Sequence, residues 1–188
     1  MAGGHRGSAT LQAVDVYSHL DAVPAAERPD LLGAPVAAAI CRTPSAVVFR
    51  IDPGLADTAA LCEHYGLPLN ASANCVLVTG KRSGQERHVA CLALATTRVD
   101  VNGLVRKRLQ VRKASFSSRD FAVTASGMQY GAITPVGLPA DWPIWIDDAV
   151  PVAGRVVIGS GVRESKLIVN AAALVALPGA EVVPGLAR

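Results

Sequence analysis

Two glycine-bearing loops hold the residues of this chain best suited to chemistry. Gly131-Ala-Ile-Thr-Pro135 and Gly159-Ser-Gly161 bracket a short apolar strand, Pro143-Ile-Trp-Ile-Asp147, that ends on carboxylates. Glycine lets the backbone come close to a ligand and take angles that a Cβ forbids. Pro135, Pro139 and Pro143 stiffen the connections by fixing φ. Loops of this kind can aim several backbone N–H groups at one oxygen, which suits a carbonyl-bearing or anionic ligand. Gly/Pro turns that merely join strands of a mixed sheet read the same way. Asp147, Asp148 and Ser160 carry a similar pair of readings, either orienting a donor, a water or a substrate, or capping a strand end and a turn. For Thr134 and Tyr130, inside the first loop, the competing role is packing. Cys75 lies in an apolar stretch with no histidine nearby in sequence, so it reads as an inert core thiol rather than a nucleophile.

The charge is unevenly distributed. Residues 98–119 hold seven basic side chains (Arg98, Arg106, Lys107, Arg108, Arg112, Lys113, Arg119) against Asp100, a net +6, while the rest of the chain is −3. A basic stripe on a slightly acidic protein is the footprint of a phosphate-backbone partner, with a solvated helix face as the alternative. The 188 residues suffice for one domain with a substantial core. Hydrophobic residues make up 51% and aromatics only 4%, so Val, Ala and Leu must fill that core. No apolar run reaches the ~18–20 residues of a membrane span, and MAGGHRGSAT lacks the apolar region of a secretory signal. Four separated cysteines and four scattered histidines give no metal-ligand spacing. The expectation is a cytoplasmic protein with reduced thiols, no metal and no cofactor.

The elements that must position the loops follow from periodicity and breakers. Residues 1–45 read as an N-terminal extension, disordered at its start, with a short helix or strand over 11–20 and a short helix over 35–40 that packs on the main domain. Residues 46–51 read as a strand, 55–65 as a helix stopped by Gly66 and Pro68, and 74–78 with 87–95 as a hairpin around a polar turn at 80–86. Residues 100–109 form a helix with its positive charge in the last turn, and 117–126 a helix capped by Ser117 or Ser118. Strands at 155–158 and 166–169 flank the Gly159-Ser-Gly161 loop, Asn170 caps a helix over 171–177, and 181–183 is a last strand. Irregular alternation with a hairpin predicts an α/β fold with a mixed β-sheet, partly barrel-like, flanked by helices.

Four of these features together carry a family likeness. Ser72–Val78 with its hairpin, the Gly131-x-x-x-Pro135 loop, the strand ending in Asp147, and Gly159-Ser-Gly-Val-Arg163 resemble, in that order, the YbaK/prolyl-tRNA synthetase editing-domain family. The likeness spans residues 46–178 and is strongest over 124–167. It implies that residues 46–188 form an aminoacyl-tRNA deacylase domain that hydrolyses the ester of a mischarged tRNA without a metal or a covalent nucleophile. Its partner would be the aminoacyl-tRNA acceptor end. By resemblance, Gly131 and its loop hold the ester through backbone groups, Asp147 matches a strand-end aspartate, Ser160 lines the pocket, and Arg163 follows the second loop as in some members. Thr134, Pro135, Gly159 and Gly161 would contact substrate, and Arg106, Lys107, Arg108, Arg112 and Lys113 the RNA. One position departs: the family strand begins with a lysine where this chain has Asn74. Asparagine donates a hydrogen bond but brings no charge, so the alternative is a weakened or inactive homologue that binds RNA or the ester. Lys81, Arg82 and Lys166 are the basic residues that could restore the charge from elsewhere.

Overall fold

Three strand segments read as unbroken apolar runs because both of their faces are covered, and this dictates the layering. In the computed structural model, which describes residues 16–188, strand β4 (Gln85–Leu94) points Ala90, Leu92 and Leu94 inward and Val89 and Cys91 outward. Strand β8 (Ser165–Asn170) splits the same way, Leu167 and Val169 against Ile168, and β7 (Arg155–Gly159) divides Val156 and Ile158 from Val157. Successive side chains on a strand face opposite sides, so a strand buried twice needs apolar residues at every position.

Two sheets result. The four-stranded one has the order β1-β2-β8-β7, with β1 at Val23–Pro24 and β2 at Val47–Arg50, all antiparallel. The five-stranded one has the order β5-β3-β4-β6-β9, with β3 at Ala73–Arg82, β5 at Ala114–Phe116, β6 at Ile144–Asp147 and β9 at Ala180–Val183. It is mixed: β3 pairs antiparallel with β4 and β5, whereas β6 runs parallel to both β4 and β9. The inner faces of the two sheets share the main core. A parallel bridge between Ser72 and Val157 ties the start of β3 to β7, so the sheets meet along one corner without closing into a barrel. Outside, helix α2 (Thr58–His64) covers Phe49, Val157 and Ile168, and the helical turn 101–108 covers Val78, Val89 and Trp145.

Local chemistry sets the ends. Asp57 caps α2 by accepting from the Ala59 and Ala60 amides, and Asp100 caps the turn at Val101–Val105 through Gly103 and Leu104. That turn is wound as a π-helix and tightens into α3 (Arg106–Arg108). Ser118 caps α4 (Arg119–Ser126). The β3–β4 hairpin turns at Ser83-Gly84, both left-handed, as a two-residue turn requires. The strands therefore run further than the polar stretch 80–86 suggests. Gly80 stays inside β3 because a Cβ there would lie 2.5 Å from Val111 Cγ2.

Residues 16–20 form a turn, and the rest of the reading for 1–20 lies outside the described residues. Beyond it, Ala25, Leu31, Leu32, Val36 and Ala39 pack into the main core, and α1 (Ala34–Ala39) begins against the glycine loops. Gly33 donates to the Ser160 carbonyl at 2.9 Å, and a Cβ on Gly137 would lie 2.4 Å from the Pro35 carbonyl oxygen. The segment before β2 thus buttresses both loops from behind.

Candidate active site

The two glycine loops are locked to each other. The Gly161 amide donates to the Ala132 carbonyl, the Gln129 amide to the Gly161 carbonyl, and the Arg163 amide to Gln129 Oε1, each at 2.9 Å. Gly159 lies so close to the first loop that a Cβ would sit 2.3 Å from the Ala132 carbonyl oxygen. Gly131 adopts φ +87°, and a Cβ there would meet Arg163 Nη1 at 2.8 Å. Glycine is required at 159 by the close approach of a backbone atom and at 131 by its left-handed conformation. Gly131 is exposed, and its N–H donates to no backbone carbonyl among the described residues.

In front of the loops lies a cleft of about 550 Å³ whose wall includes Gly131, Gly159, Arg163, Asn74, Lys166 and Asp57. Asn74, the second residue of β3, lines it. Its Oδ1 accepts from the Thr58 hydroxyl at 2.6 Å, leaving its amide –NH2 without a partner among the described residues. Arg163 Nη2 donates to the Pro53 carbonyl at 2.7 Å, holding its guanidinium beside Gly131. Lys166 arrives from β8 and is only 6% exposed, with Nζ donating to the Ala56 carbonyl at 3.1 Å. Burial pushes its ammonium below the ordinary lysine range, the nearby Arg163 adds to that, and Asp57 opposes it. Lys81 and Arg82 are at the hairpin tip and do not line the cleft. Of the three basic residues that could compensate for Asn74, Lys166 is the one that reaches it.

The remaining expected residues stand elsewhere. Asp147 is buried at the end of β6 and does not line the cleft. It accepts from the Ala187 amide at 2.8 Å and the Ala149 amide at 3.2 Å, tying the C-terminal segment down. Ser160 is fully buried behind the loop, its hydroxyl 2.9 Å from the Ser165 carbonyl and 2.8 Å from the Ser165 hydroxyl. Gly161 packs on Gly33 and Val36. Thr134 and Pro135 are the buried end of the first loop, and the Thr134 hydroxyl has no partner among the described residues. Cys75 lines the cleft, but burial pushes its thiol far up, as it does Cys91 to about 12, which leaves neither as a ready nucleophile. His64 and His88 do not line the cleft.

The basic stripe divides. Arg106 bonds the Asn102 carbonyl, and Arg108 pairs with Glu181 and lies over the Trp145 ring at 5.0 Å. Lys107 is exposed on the same turn, whereas Arg112 and Lys113 line a second cavity beside β5. Among the described residues no group of three His, Cys, Asp or Glu is placed to hold a metal, and no helix is long and apolar enough to cross a membrane. Asp57, Thr58 and Phe116 enter the cleft without having been read from the sequence. Lys166 stands out among the three candidate cations as the one followed by an apolar run, Leu167-Ile-Val169.

The model of the aminoacyl-tRNA editing domain family matches residues 52–177, and the chain belongs to that family. Solved structures of the same fold include a candidate trans-editing enzyme for prolyl-tRNA synthetase, at 16% identity and a TM-score of 0.68, covering 81% of this chain and 94% of that one. A hypothetical protein, APE2540, is similar at 16% identity and a TM-score of 0.68, covering 79% of this chain and 95% of that one. No curated protein matches the sequence.

Proposed function

We propose that this protein hydrolyses the ester of mischarged aminoacyl-tRNA in the cleft between the glycine loops and β3, acting in trans as a separate protein. The supporting observation is that a buried cation, Lys166, shares that cleft with the Gly131 N–H and the Asn74 amide. Water adds to the ester carbonyl carbon, and the carbonyl oxygen becomes an oxyanion. The bond from carbonyl carbon to ribose oxygen then breaks, and the proton released by the water ends on that oxygen. The products are the free amino acid and deacylated tRNA. In this reaction Gly131 donates its N–H to the oxyanion, Asn74 adds a neutral donor, and Lys166 supplies the charge that Asn74 lacks. Donors held in place before the reaction stabilise such an oxyanion without having to reorganise. Ser160, Thr134 and Pro135 keep the loops in place, Asp147 holds the C-terminal segment, and Arg163 braces Gly131.

The rival reading, a binder without turnover, draws on the uncharged Asn74 itself. Single-turnover hydrolysis of tRNA charged with alanine, cysteine or serine, corrected for spontaneous ester loss, separates the two. Turnover above background on at least one ester is expected. Tight tRNA binding with no turnover on any of them would reject the enzyme.

A further inference from the structure

Phe116 ends the edge strand β5 with 62% of its surface exposed, an unusual state for a phenylalanine in a chain so poor in aromatics. It lines the cleft and also a second cavity of about 650 Å³ beside β5. That second cavity is walled by Phe121 and rimmed by Arg112, Lys113 and Lys81. Phe121 is held flat, its ring stacked on His88 at 4.3 Å and 22°. Lys81 is paired with Glu86 at 3.1 Å, but Arg112 and Lys113 have no ion-pair or hydrogen-bond partner among the described residues. The groove also presents the hydroxyls of Ser115 and Ser118. An exposed aromatic face between a basic groove and a cleft matches the needs of an unpaired nucleic acid strand, whose bases stack while its phosphates follow the cations. A peptide partner would not require unpaired cations next to a bare ring.

We propose that the unpaired 3′ end of the RNA runs through the second cavity and over Phe116 into the cleft, with one base stacked on Phe116 and the upstream phosphates on Arg112 and Lys113. This rests on the functional reading above only in naming the RNA, and it fixes the direction from which the ester arrives. It also gives the two halves of the basic stripe different roles. Arg112 and Lys113 hold the single strand, while Arg106 and Arg108 are engaged by the protein itself.

The test is the affinity of the full chain for an uncharged, fluorescently labelled six-nucleotide RNA ending in CCA, which needs no turnover. Loss of one stacked base predicts that Phe116→Ala weakens binding about 5- to 100-fold, while Phe116→Trp retains it. The double variant Arg112→Ala/Lys113→Ala should reduce the slope of log affinity against log salt by about 1.4, on the order of 0.7 for each phosphate no longer neutralised. Equal competition by a blunt duplex, or unchanged affinity in Phe116→Ala, would overturn the route. Self-association that Phe116→Ala abolishes would also overturn it, by assigning the groove to a second copy of the chain. If the wild type binds this RNA as described but hydrolyses no ester, the route stands and the catalytic proposal alone fails.

Discussion

Replacing Lys166 with methionine keeps the length and apolar stem of the side chain while deleting its charge, and should separate stability from turnover. Lys166 is 6% exposed and makes a charge-assisted hydrogen bond to the Ala56 carbonyl at 3.1 Å. Losing such a bond costs about 1.5–3 kcal/mol, but the buried ammonium carries a desolvation penalty of roughly several kcal/mol that methionine does not. The two terms offset, so Lys166→Met should fold with a stability within about 1 kcal/mol of the parent or above it. Its turnover should fall about 100- to 1000-fold, the loss typical of one oxyanion donor, or about 2.7–4 kcal/mol of transition-state stabilisation. Urea melts and single-turnover deacylation on the same preparation give both numbers.

The pH dependence follows from the same group. Its folded pKa is lowered by burial, so the unfolded chain binds this proton more tightly. The penalty is fully present below the folded pKa and is relieved as pH rises toward the ordinary lysine value of about 10.4, so stability rises through that window. Methionine should abolish that rise. Enzyme-dependent hydrolysis should instead decline on the alkaline side, at a pH below the ordinary lysine range. Turnover that survives in Lys166→Met, or that increases through the alkaline limb, would refute the cationic role.

Other substitutions test the frame around the cleft. Gly159→Ala drives a Cβ to 2.3 Å from the Ala132 carbonyl oxygen, a backbone atom that cannot swing away. A loss of about 1–3 kcal/mol by urea melt is expected, with turnover reduced as the loops part. Asp147→Ala strips the Ala149 and Ala187 amides of their acceptor, and a drop of about 2–4 kcal/mol in unfolding free energy should follow, with a smaller one for Asp147→Asn. Thr134→Val removes a buried hydroxyl that has no partner among the described residues. The variant should gain about 1 kcal/mol of stability, and a loss in thermal melts would mean that the hydroxyl is satisfied in solution.

Periodicity and breakers carried most of the element order, because strands buried on both faces and helices closed by Asp57, Asp100 and Ser118 leave strong local marks. Two pieces were not legible for physical reasons. β5 is three residues long, too short for any alternation to show, yet it carries Phe116. Four prolines obscure residues 24–44, although their backbone braces the glycine loops through Gly33 and Pro35. The convergence of the two loops was legible through the family resemblance and not from glycine and proline placement alone, because turns that only join strands carry the same residues. Asp147 shows the limit of such reading, since a carboxylate at a strand end looks the same whether it faces a substrate or caps two amides. Lys166 could be named as one of several cations, but only pairing of β8 with β7 and β2 brings it to the wall that Asn74 shares.

Hydrolysis in this cleft requires that main-chain and side-chain amides at the glycine loops receive the carbonyl of an aminoacyl ester. Amide NMR of the isotopically labelled protein, titrated with a non-hydrolysable aminoacyl-amide analogue of the 3′-terminal adenosine, reads those groups one by one. Saturable downfield shifts of the Gly131 backbone N–H and the Asn74 side-chain amide are expected. Saturable binding that leaves Gly131 and Asn74 unmoved would contradict the proposed site.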